Sequence, residues 1–125
     1  MSPLRILLAD DNDTFRHGLR KLLESDARLQ VIGEAREGEE AVNMAIRLAP
    51  DLVLMDIRMP GQDGLAAARA IRACCPGAKI IILSSHDTPA LREEARHAGV
   101  HTYLLKSEAS DDILHQVSYE LSSPP

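Results

Sequence analysis

Short apolar runs alternate along the chain with segments whose apolar residues recur at helical spacing. The runs predict strands, because a strand that is buried on both faces is apolar at nearly every position. The other segments predict helices, because residues at i, i+3, i+4 and i+7 share one helical face. The predicted strands span 6–9, 29–35, 52–55, 80–83 and 103–105. The apolar stripes of the five helices include, in chain order, Leu19, Val42, Ile71, Leu91 and Ile113.

Proline, glycine and threonine fall at the ends of these helices. Thr88 followed by Pro89 is typical of a helix N-cap with proline in the first turn. Gly99 stands where a left-handed residue would end the same helix. Pro50 and the pair 76–77 stop the second and third helices. The predicted boundaries therefore agree with the hydrophobic pattern.

Strands that alternate with helices predict an α/β fold, in which a parallel sheet carries helices on both faces. The strand 29–35 is the least apolar, since it contains Gln30, Gly33 and Glu34, and we expect it at an edge. The length of 125 residues suits one domain. We assign this domain to residues 1–121 and interpret 122–125 as the start of a linker or tail.

Composition narrows the class of protein. The net charge of −5 argues against nucleic-acid binding by this domain, because such domains carry basic surfaces. No apolar run approaches the ~18 residues that would indicate a membrane-spanning helix, and the N-terminus lacks a signal-peptide pattern. Adjacent Cys74 and Cys75 give neither a disulfide framework nor zinc-ligand spacing. We expect a soluble, cytoplasmic domain without membrane contact.

Polar side chains follow four of the five predicted strands. Asp10 and Asp11 come after the first strand, Asp56 after the third, Ser84 at the end of the fourth and Lys106 after the fifth. The carboxyl ends of parallel strands lie at one edge of a sheet, where ligands bind. We therefore expect these side chains to converge on a single site.

The residue types indicate phosphoryl chemistry at that site. Three carboxylates repel one another and need a neutralising cation. Mg²⁺ suits them because it prefers oxygen ligands and accepts phosphate oxygens. Lys106 is a cation that could pair with a phosphoryl oxygen, and a serine hydroxyl could donate to another. Asp56 would then act as a nucleophile that forms an aspartyl phosphate. From the residue types alone, Ser85 could supply the hydroxyl instead of Ser84.

Five segments together resemble the receiver domain of bacterial two-component response regulators. The resemblance extends from about residue 4 to residue 121. It rests on Leu8-Ala-Asp-Asp-Asn12, Asp51-Leu-Val-Leu-Met-Asp56, Met59-Pro-Gly-Gln-Asp-Gly64, Ile82-Leu-Ser-Ser-His-Asp87 and Tyr103-Leu-Leu-Lys106. The last two segments resemble most the NarL/LuxR-type subfamily. The resemblance implies a flavodoxin-like (βα)5 fold with the strand order 2-1-3-4-5.

The resemblance also implies a role for each site residue. Asp56 matches the phosphoacceptor, and Asp10 and Asp11 match the acidic pair that binds Mg²⁺. The backbone carbonyl of Arg58 matches a further metal ligand, and the side chains of Arg58 and His86 occupy positions that tune the lifetime of the phosphorylated state.

Three further residues match the family's switch. Ser84 matches the hydroxyl that moves toward the phosphoryl group, and Lys106 matches its cationic partner. The spacing to the His-Asp pair at 86–87 favours Ser84 over Ser85. Tyr103 matches an aromatic residue that reports the state to the surface, although it could also be an ordinary half-buried strand residue. Lys106 is followed by Ser107 where the wider family has proline. The NarL/LuxR-type subfamily tolerates this departure, but the resemblance then does not define the backbone just beyond Lys106.

The implied function is a phosphorylation-dependent signalling switch rather than an enzyme. A sensor histidine kinase would donate the phosphoryl group, and phosphorylation would promote a homodimer. In the NarL/LuxR-type subfamily the output is a C-terminal helix-turn-helix domain that binds DNA, and no such domain is present in this sequence. The alternatives are a stand-alone receiver that acts through protein–protein contacts and, less favoured, a Mg²⁺-dependent aspartyl-phosphate phosphatase. Such phosphatases place an acid two residues after the nucleophile, where this chain has Arg58.

Overall fold

The computed structural model describes residues 2–59, 61, 63–100 and 102–122. Strands and helices alternate throughout these residues, and a short 3-10 turn (Lys106–Glu108) precedes the last helix. The strands are β1 (Leu4–Ala9), β2 (Leu29–Ala35), β3 (Leu52–Met55), β4 (Lys79–Ser84) and β5 (Thr102–Leu105). The helices are α1 (Asp13–Glu24), α2 (Gly38–Leu48), α3 (Gly64–Cys74), α4 (Pro89–His97) and α5 (Ala109–Ser122).

The five strands form one parallel sheet in the order β2-β1-β3-β4-β5. This order confirms the predicted flavodoxin-like topology and the edge position of β2. One apolar cluster joins α1 and α5 to one face of the sheet, and a second joins α2, α3 and α4 to the other. Because both faces are covered, the continuous apolar strands predicted from the sequence are buried as expected.

The pairing of β1 with β2 contains a bulge that changes which side chains face α1. Ile6 pairs with Val31, but Leu7 pairs with Gly33, so Ile32 is an extra residue on β2. An uninterrupted register would place Glu34 beside Ala9, on the α2 side of the sheet. The bulge instead places Glu34 beside Leu8, on the face that packs against α1.

The helix ends near the sheet's carboxyl edge are capped by side chains. Asn12 accepts a hydrogen bond from the backbone N–H of Phe15 at the start of α1, and Asp63 accepts one from Ala66 at the start of α3. Thr88 caps α4 as predicted, by accepting from the N–H of Leu91. These caps satisfy backbone donors that the first turn of a helix leaves unpaired, and so fix the loops that carry the site.

Two sequence predictions concern the ends of α4 and of the domain. Gly99 follows α4 with a φ of 84°, so its left-handed conformation is confirmed. The last helix extends to Ser122, and 123–125 lie outside the described residues, so the domain boundary at 121 and the linker stay predictions. Within the described ranges, no helix combines the length and apolar character needed to cross a bilayer.

Candidate functional site

Three carboxylates meet at the carboxyl ends of β1 and β3. Asp10 directly follows the buried end of β1, and Asp56 directly follows β3. Each of Asp10, Asp11 and Asp56 offers an oxygen atom, and these atoms all lie within 4.8 Å of one another. Asp10 and Asp56 are buried, whereas Asp11 is exposed. Adjacent strands therefore bring together the acidic side chains that the sequence predicted at one edge.

Lys106 enters this cluster from the end of β5. Its Nζ atom lies 2.6 Å from Oδ2 of Asp10 and 3.2 Å from Oδ2 of Asp56. Burial alone would lower the pKa of Lys106, but the hydrogen bond to Asp10 and the charges of Asp56 and Asp10 outweigh it and raise the pKa. The same Nζ lies 4.4 Å from the centre of the Phe15 ring, within the range of a cation–π contact. The ammonium group is therefore held between the acids and an aromatic wall.

Burial and the nearby Asp10 disfavour the ionised form of Asp56, and Lys106, its one cationic partner among the described contacts, does not fully offset them. Asp56 is only 8% exposed to solvent. Burial raises the pKa of Asp56, the charge of Lys106 lowers it, the charge of Asp10 raises it again, and the net pKa lies above the usual 3.8. One ammonium group against three carboxylates thus leaves an excess of negative charge. A hard divalent cation with oxygen ligands is chemically suited to this cluster.

The backbone around Asp56 is fixed on both sides. Its N–H donates to the carbonyl of Ala9 at 2.9 Å, which continues the pairing of β1 with β3. The N–H of Arg58 donates to Oδ1 of Asp56 at 3.3 Å. A Cβ atom on Gly64 would lie 2.1 Å from the carbonyl oxygen of Asp56, so α3 begins against this loop at a distance that only glycine permits. The side chain of Arg58 is exposed, and its carbonyl stays a predicted metal ligand.

Ser84 and Tyr103 are both bonded to the main chain of His86. The Ser84 hydroxyl oxygen accepts from the His86 N–H at 3.0 Å, and the Tyr103 hydroxyl donates to the His86 carbonyl at 2.6 Å. Ser84 and Tyr103 are buried, whereas Ser85 is exposed. The guanidinium of Arg92 covers the Tyr103 ring at 5.0 Å from its centre. Ser84 therefore lies at the predicted edge, and Tyr103 is joined to it through one intervening residue.

A family model described as the response regulator receiver domain matches residues 6–118. The chain belongs to this family. Its similarity extends to NarL/LuxR-type response regulators, as the sequence predicted.

One curated relative and two solved structures illustrate this similarity. The receiver domain is 40% identical to the transcriptional regulatory protein LnrK of Bacillus subtilis (strain 168), over 91% of this chain and 52% of LnrK. It superposes with a TM-score of 0.89 on the signal receiver domain of NarL from Mycobacterium tuberculosis, at 29% identity over 98% of this chain and 100% of that one. A LuxR-family two-component response regulator from Aurantimonas sp. SI85-9A1 gives a TM-score of 0.88 at 33% identity, over 97% and 86% of the two chains. This chain spans about half the length of the curated relatives it matches.

Sequence reasoning missed two charged residues of this receiver domain, one that contacts the site and one that holds the first in place. Arg16 is buried and donates to the backbone carbonyl of Asp10, and Glu34 pairs with Arg16. A signal for each was present. Arg16 precedes Leu19 and Leu23 by three and seven residues, so it lies on the buried stripe of α1. Gly33 inside a strand indicates a bulge, which is what turns Glu34 toward α1.

Proposed function

We propose that this receiver domain accepts a phosphoryl group on Asp56 from a sensor histidine kinase, in the presence of Mg²⁺. One observation carries the proposal. Asp56 is a buried carboxylate at the end of a central strand, with two further carboxylates and the Lys106 ammonium within reach of its oxygens. Membership in the receiver domain family supports the same reaction.

The reaction requires little more from the chain than positioning and charge. A carboxylate oxygen of Asp56 attacks the phosphorus of the donor phosphohistidine. A bond from that oxygen to phosphorus forms, the bond from phosphorus to the imidazole nitrogen breaks, and its electron pair stays on the imidazole. Lys106, now 3.2 Å from Asp56, is placed to pair with a phosphoryl oxygen after the transfer.

The proposed metal ligands are Asp10, Asp11, Asp56 and the backbone carbonyl of Arg58. The carboxylates fit Mg²⁺, because their oxygens are hard ligands and one lysine does not balance their charge. When bound, Mg²⁺ supplies positive charge that offsets the phosphoryl oxygens. Asp10 and Asp56 both present Oδ2 to Lys106, so a metal that took these oxygens would compete with this ion pair.

Ser84 and Tyr103 are the proposed switch residues. A phosphoryl group adds about −1.5 to −2 charge and new acceptor oxygens beside Lys106. We expect the Ser84 hydroxyl, which now accepts from the N–H of His86, to donate to one of these oxygens. The loop at His86 would then move and release or tighten the Tyr103 hydroxyl that it holds. The outcome is a change of surface around α4 and β5.

The phosphoacceptor is tested by mass spectrometry after treatment with a small phosphodonor and Mg²⁺. Wild-type protein should gain one phosphoryl group that alkali removes, and the Asp56→Asn protein should gain none. The matched control is Asp51→Asn, because Asp51 is an exposed aspartate at the other end of β3. Phosphorylation of the Asp56→Asn protein to the wild-type extent would overturn the proposal.

The output of the switch is proposed from the relatives. LnrK and LiaR are named transcriptional regulatory proteins, and this chain matches about half of each. We therefore propose that the domain controls transcription through a DNA-binding domain in the same protein, with phosphorylation promoting a homodimer. DNA contact by the receiver itself is not part of the proposal, given the net charge of −5.

Two measurements separate this output from a stand-alone receiver. The full-length reading frame shows directly whether a helix-turn-helix domain follows residue 125. Light scattering with and without beryllofluoride and Mg²⁺ measures self-association, and we expect a dimer only when both are present. A monomer under both conditions, in a gene that ends at this domain, would favour a receiver that works through other proteins.

An aspartyl-phosphate phosphatase is the weaker alternative. The position two residues after Asp56 is Arg58, whose exposed side chain cannot serve as a general acid near neutral pH. We expect no turnover of a generic phosphate monoester with Mg²⁺. Sustained turnover that is lost in the Asp56→Asn protein would revive this alternative.

A further inference from the structure

Arg16 is a buried cation in α1, with only 6% of its surface exposed. Arginine is almost never buried unless its charge is paired, because removing a charge from water is costly. Its place on the buried stripe of α1, three and seven residues before two core leucines, would suit an apolar residue. The buried guanidinium of Arg16 must therefore be stabilised by the groups that it contacts.

The guanidinium is engaged on three sides. Its Nη1 donates to the backbone carbonyl of Asp10 at 2.7 Å, and its Nε donates to Oε1 of Glu34 at 2.7 Å. Its Nη2 lies 2.8 Å from Oδ1 of Asp13. Arginine presents its donors in a rigid planar fork, so two carboxylates fix the plane of the group and thereby the direction of Nη1.

Glu34 reaches Arg16 because of the bulge in β2. The extra residue, Ile32, turns Glu34 to the α1 face of the sheet, where its second oxygen also contacts Arg20 at 2.5 Å. Burial would raise the pKa of Glu34, but the hydrogen bonds from Arg20 and Arg16 outweigh it and lower the pKa. Glu34 is therefore a carboxylate that stays charged and holds Arg16 in place.

The carbonyl that Arg16 holds belongs to the peptide bond between Asp10 and Asp11. This peptide unit sets the position of Asp11 relative to Asp10, and both are proposed metal ligands. The Asp10 side chain is fixed separately, because its Oδ1 accepts from the N–H of Asn12 at 2.9 Å and its Oδ2 contacts Lys106. Arg16 thus acts on the main chain of the acidic pair, whereas Lys106 contacts the side chain of Asp10.

We propose that Arg16 is a positioning residue that preorganises the two acidic ligands of the proposed Mg²⁺ site. The proposal rests on the proposed function, since it assigns Arg16 a task at that site. Partners that orient metal ligands typically change metal affinity by about 10–100-fold when removed. Among its described contacts, Arg16 touches no side chain of a proposed metal ligand, so its effect passes through the Asp10–Asp11 peptide.

The chain offers a matched control for Arg16. Arg20 lies one turn further along α1 and also pairs with Glu34, but its described partners are Glu34 and Glu24 and do not include Asp10. Replacement of either arginine by glutamine removes one positive charge near the site. Only the replacement of Arg16 removes the donor to the Asp10 carbonyl.

The test is an NMR titration of backbone amides with Mg²⁺ in the Arg16→Gln, Arg16→Lys, Arg20→Gln and wild-type proteins. We expect Mg²⁺ affinity to fall about tenfold in Arg16→Gln and to be unchanged in Arg20→Gln. Arg16→Lys keeps the charge but not the planar fork, so we expect its Mg²⁺ affinity to be reduced almost as much as that of Arg16→Gln. In metal-free protein, the amide hydrogen of Asn12 should exchange with solvent faster in Arg16→Gln than in Arg20→Gln. This amide donates to the Asp10 side chain, and without Arg16 the Asp10 main chain that carries this side chain is held less firmly.

Each outcome decides the inference. Equal affinity in Arg16→Gln and wild type overturns it, as does full restoration by lysine, which would mean that charge alone matters. Absence of Mg²⁺ binding in the wild-type protein would overturn the proposed metal site and this inference together. If Arg16→Gln does not fold, Arg16→Lys and Glu34→Gln replace it. Glu34→Gln leaves the donor in place but loosens it, so we expect a smaller loss of affinity, and no loss in either protein overturns the inference.

Discussion

The carboxyl edge of the sheet has two halves that are held by different forces. In the acidic half, Asp10 and Asp56 are buried beside the Lys106 ammonium, at distances of 2.6 and 3.2 Å. In the hydroxyl half, Ser84 and Tyr103 are buried beside the uncharged main chain of His86. Among the described contacts, neither hydroxyl is bonded to Asp56. In this structure, the half proposed to receive the phosphoryl group and the half proposed to respond to it are thus held by separate contacts.

The difference shows how a small chemical change could produce a change of shape. Buried charges interact strongly and tolerate little displacement, because leaving one of them unpaired costs several kcal/mol. A neutral hydrogen bond contributes only about 0.5–1.5 kcal/mol, so the hydroxyl half can exchange partners at low cost. We infer that the acidic half is the rigid part of the site and the hydroxyl half is the adjustable part.

The largest effect is expected from Gly64→Ala, which strikes the support of the acidic half. The new Cβ would lie 2.1 Å from the Asp56 carbonyl oxygen and 2.6 Å from the Ile57 Cα, and neither backbone atom can move aside. We expect a loss of about 3 kcal/mol in the free energy of unfolding, measured by urea unfolding and circular dichroism. The control is Gly18→Ala, because a Cβ there meets nothing within 4 Å. That change should stabilise helix α1 by about 0.5–1 kcal/mol. Equal effects at the two glycines would contradict the close packing of α3 against Asp56.

Lys106→Met should show whether the ammonium group both stabilises the buried acids and competes with Mg²⁺ for their oxygens. Without the ammonium, Asp10 and Asp56 face each other unpaired, and we expect the metal-free protein to lose about 1–3 kcal/mol of stability. Mg²⁺ should then raise the melting temperature more than in the wild type, because the metal no longer competes with Lys106 for the same oxygens. Differential scanning calorimetry measures both effects. Lys21→Met, at an exposed site on α1, should change neither. An Mg²⁺ effect smaller than in the wild type would contradict the competition.

Asp56 and Glu34 should show opposite dependences on pH in metal-free buffer. The folded pKa of Asp56 is raised above 3.8 by burial, so ionising it weakens the folded state, and its contribution is lost as pH rises through the folded pKa. The folded pKa of Glu34 is lowered below 4.5, so its contribution is present above 4.5 and is lost as pH falls through the folded pKa. At pH 7, Asp56→Asn should therefore melt a few degrees above the wild type and Glu34→Gln below it. Both differences should shrink on acidification, and a difference of the same sign for both variants would contradict the comparison.

The smallest effect is expected in the hydroxyl half. Tyr103→Phe removes one hydrogen bond to the His86 carbonyl and should cost about 1 kcal/mol of stability. Mg²⁺ affinity, measured by calorimetric titration, should not change, because the described contacts of Tyr103 include none of the three carboxylates. A change of affinity as large as that expected for Arg16→Gln would mean that the two halves are already coupled before phosphorylation.

The strands, the helices and the edge position of β2 were predictable because their signals are local, whereas the strand order came from the family resemblance. Continuous apolar runs identify buried parallel strands, and the polar residues of 29–35 identify the edge strand. Thr88 and Gly99 mark the ends of α4 through backbone requirements that operate within a few residues. Such signals need no knowledge of distant parts of the chain.

The site was predictable only as far as strand ends define it. Asp10, Asp56 and Lys106 converge because parallel strands share one edge, and that rule requires only their position in the sequence. The contact of Arg16 with Glu34 could not be derived in this way. It depends on which face Glu34 occupies, and that face is set by a bulge whose position is decided by pairing with β1. The dependence of Ser84 and Tyr103 on one loop residue is likewise a matter of tertiary geometry.

The bulge in β2 also bears on which changes of chain length the sheet tolerates. Deletion of one residue from a paired strand normally moves the side chains beyond it to the opposite face of the sheet. Loss of Val53 from β3 should therefore move its neighbours between the two apolar clusters, since both faces of that strand are buried. Loss of Ile32 should not, because the remaining residues of β2 would pair one to one with β1 and leave Glu34 beside Leu8. Because of the extra residue, the edge strand β2 can become one residue shorter while its remaining side chains stay on the same faces of the sheet.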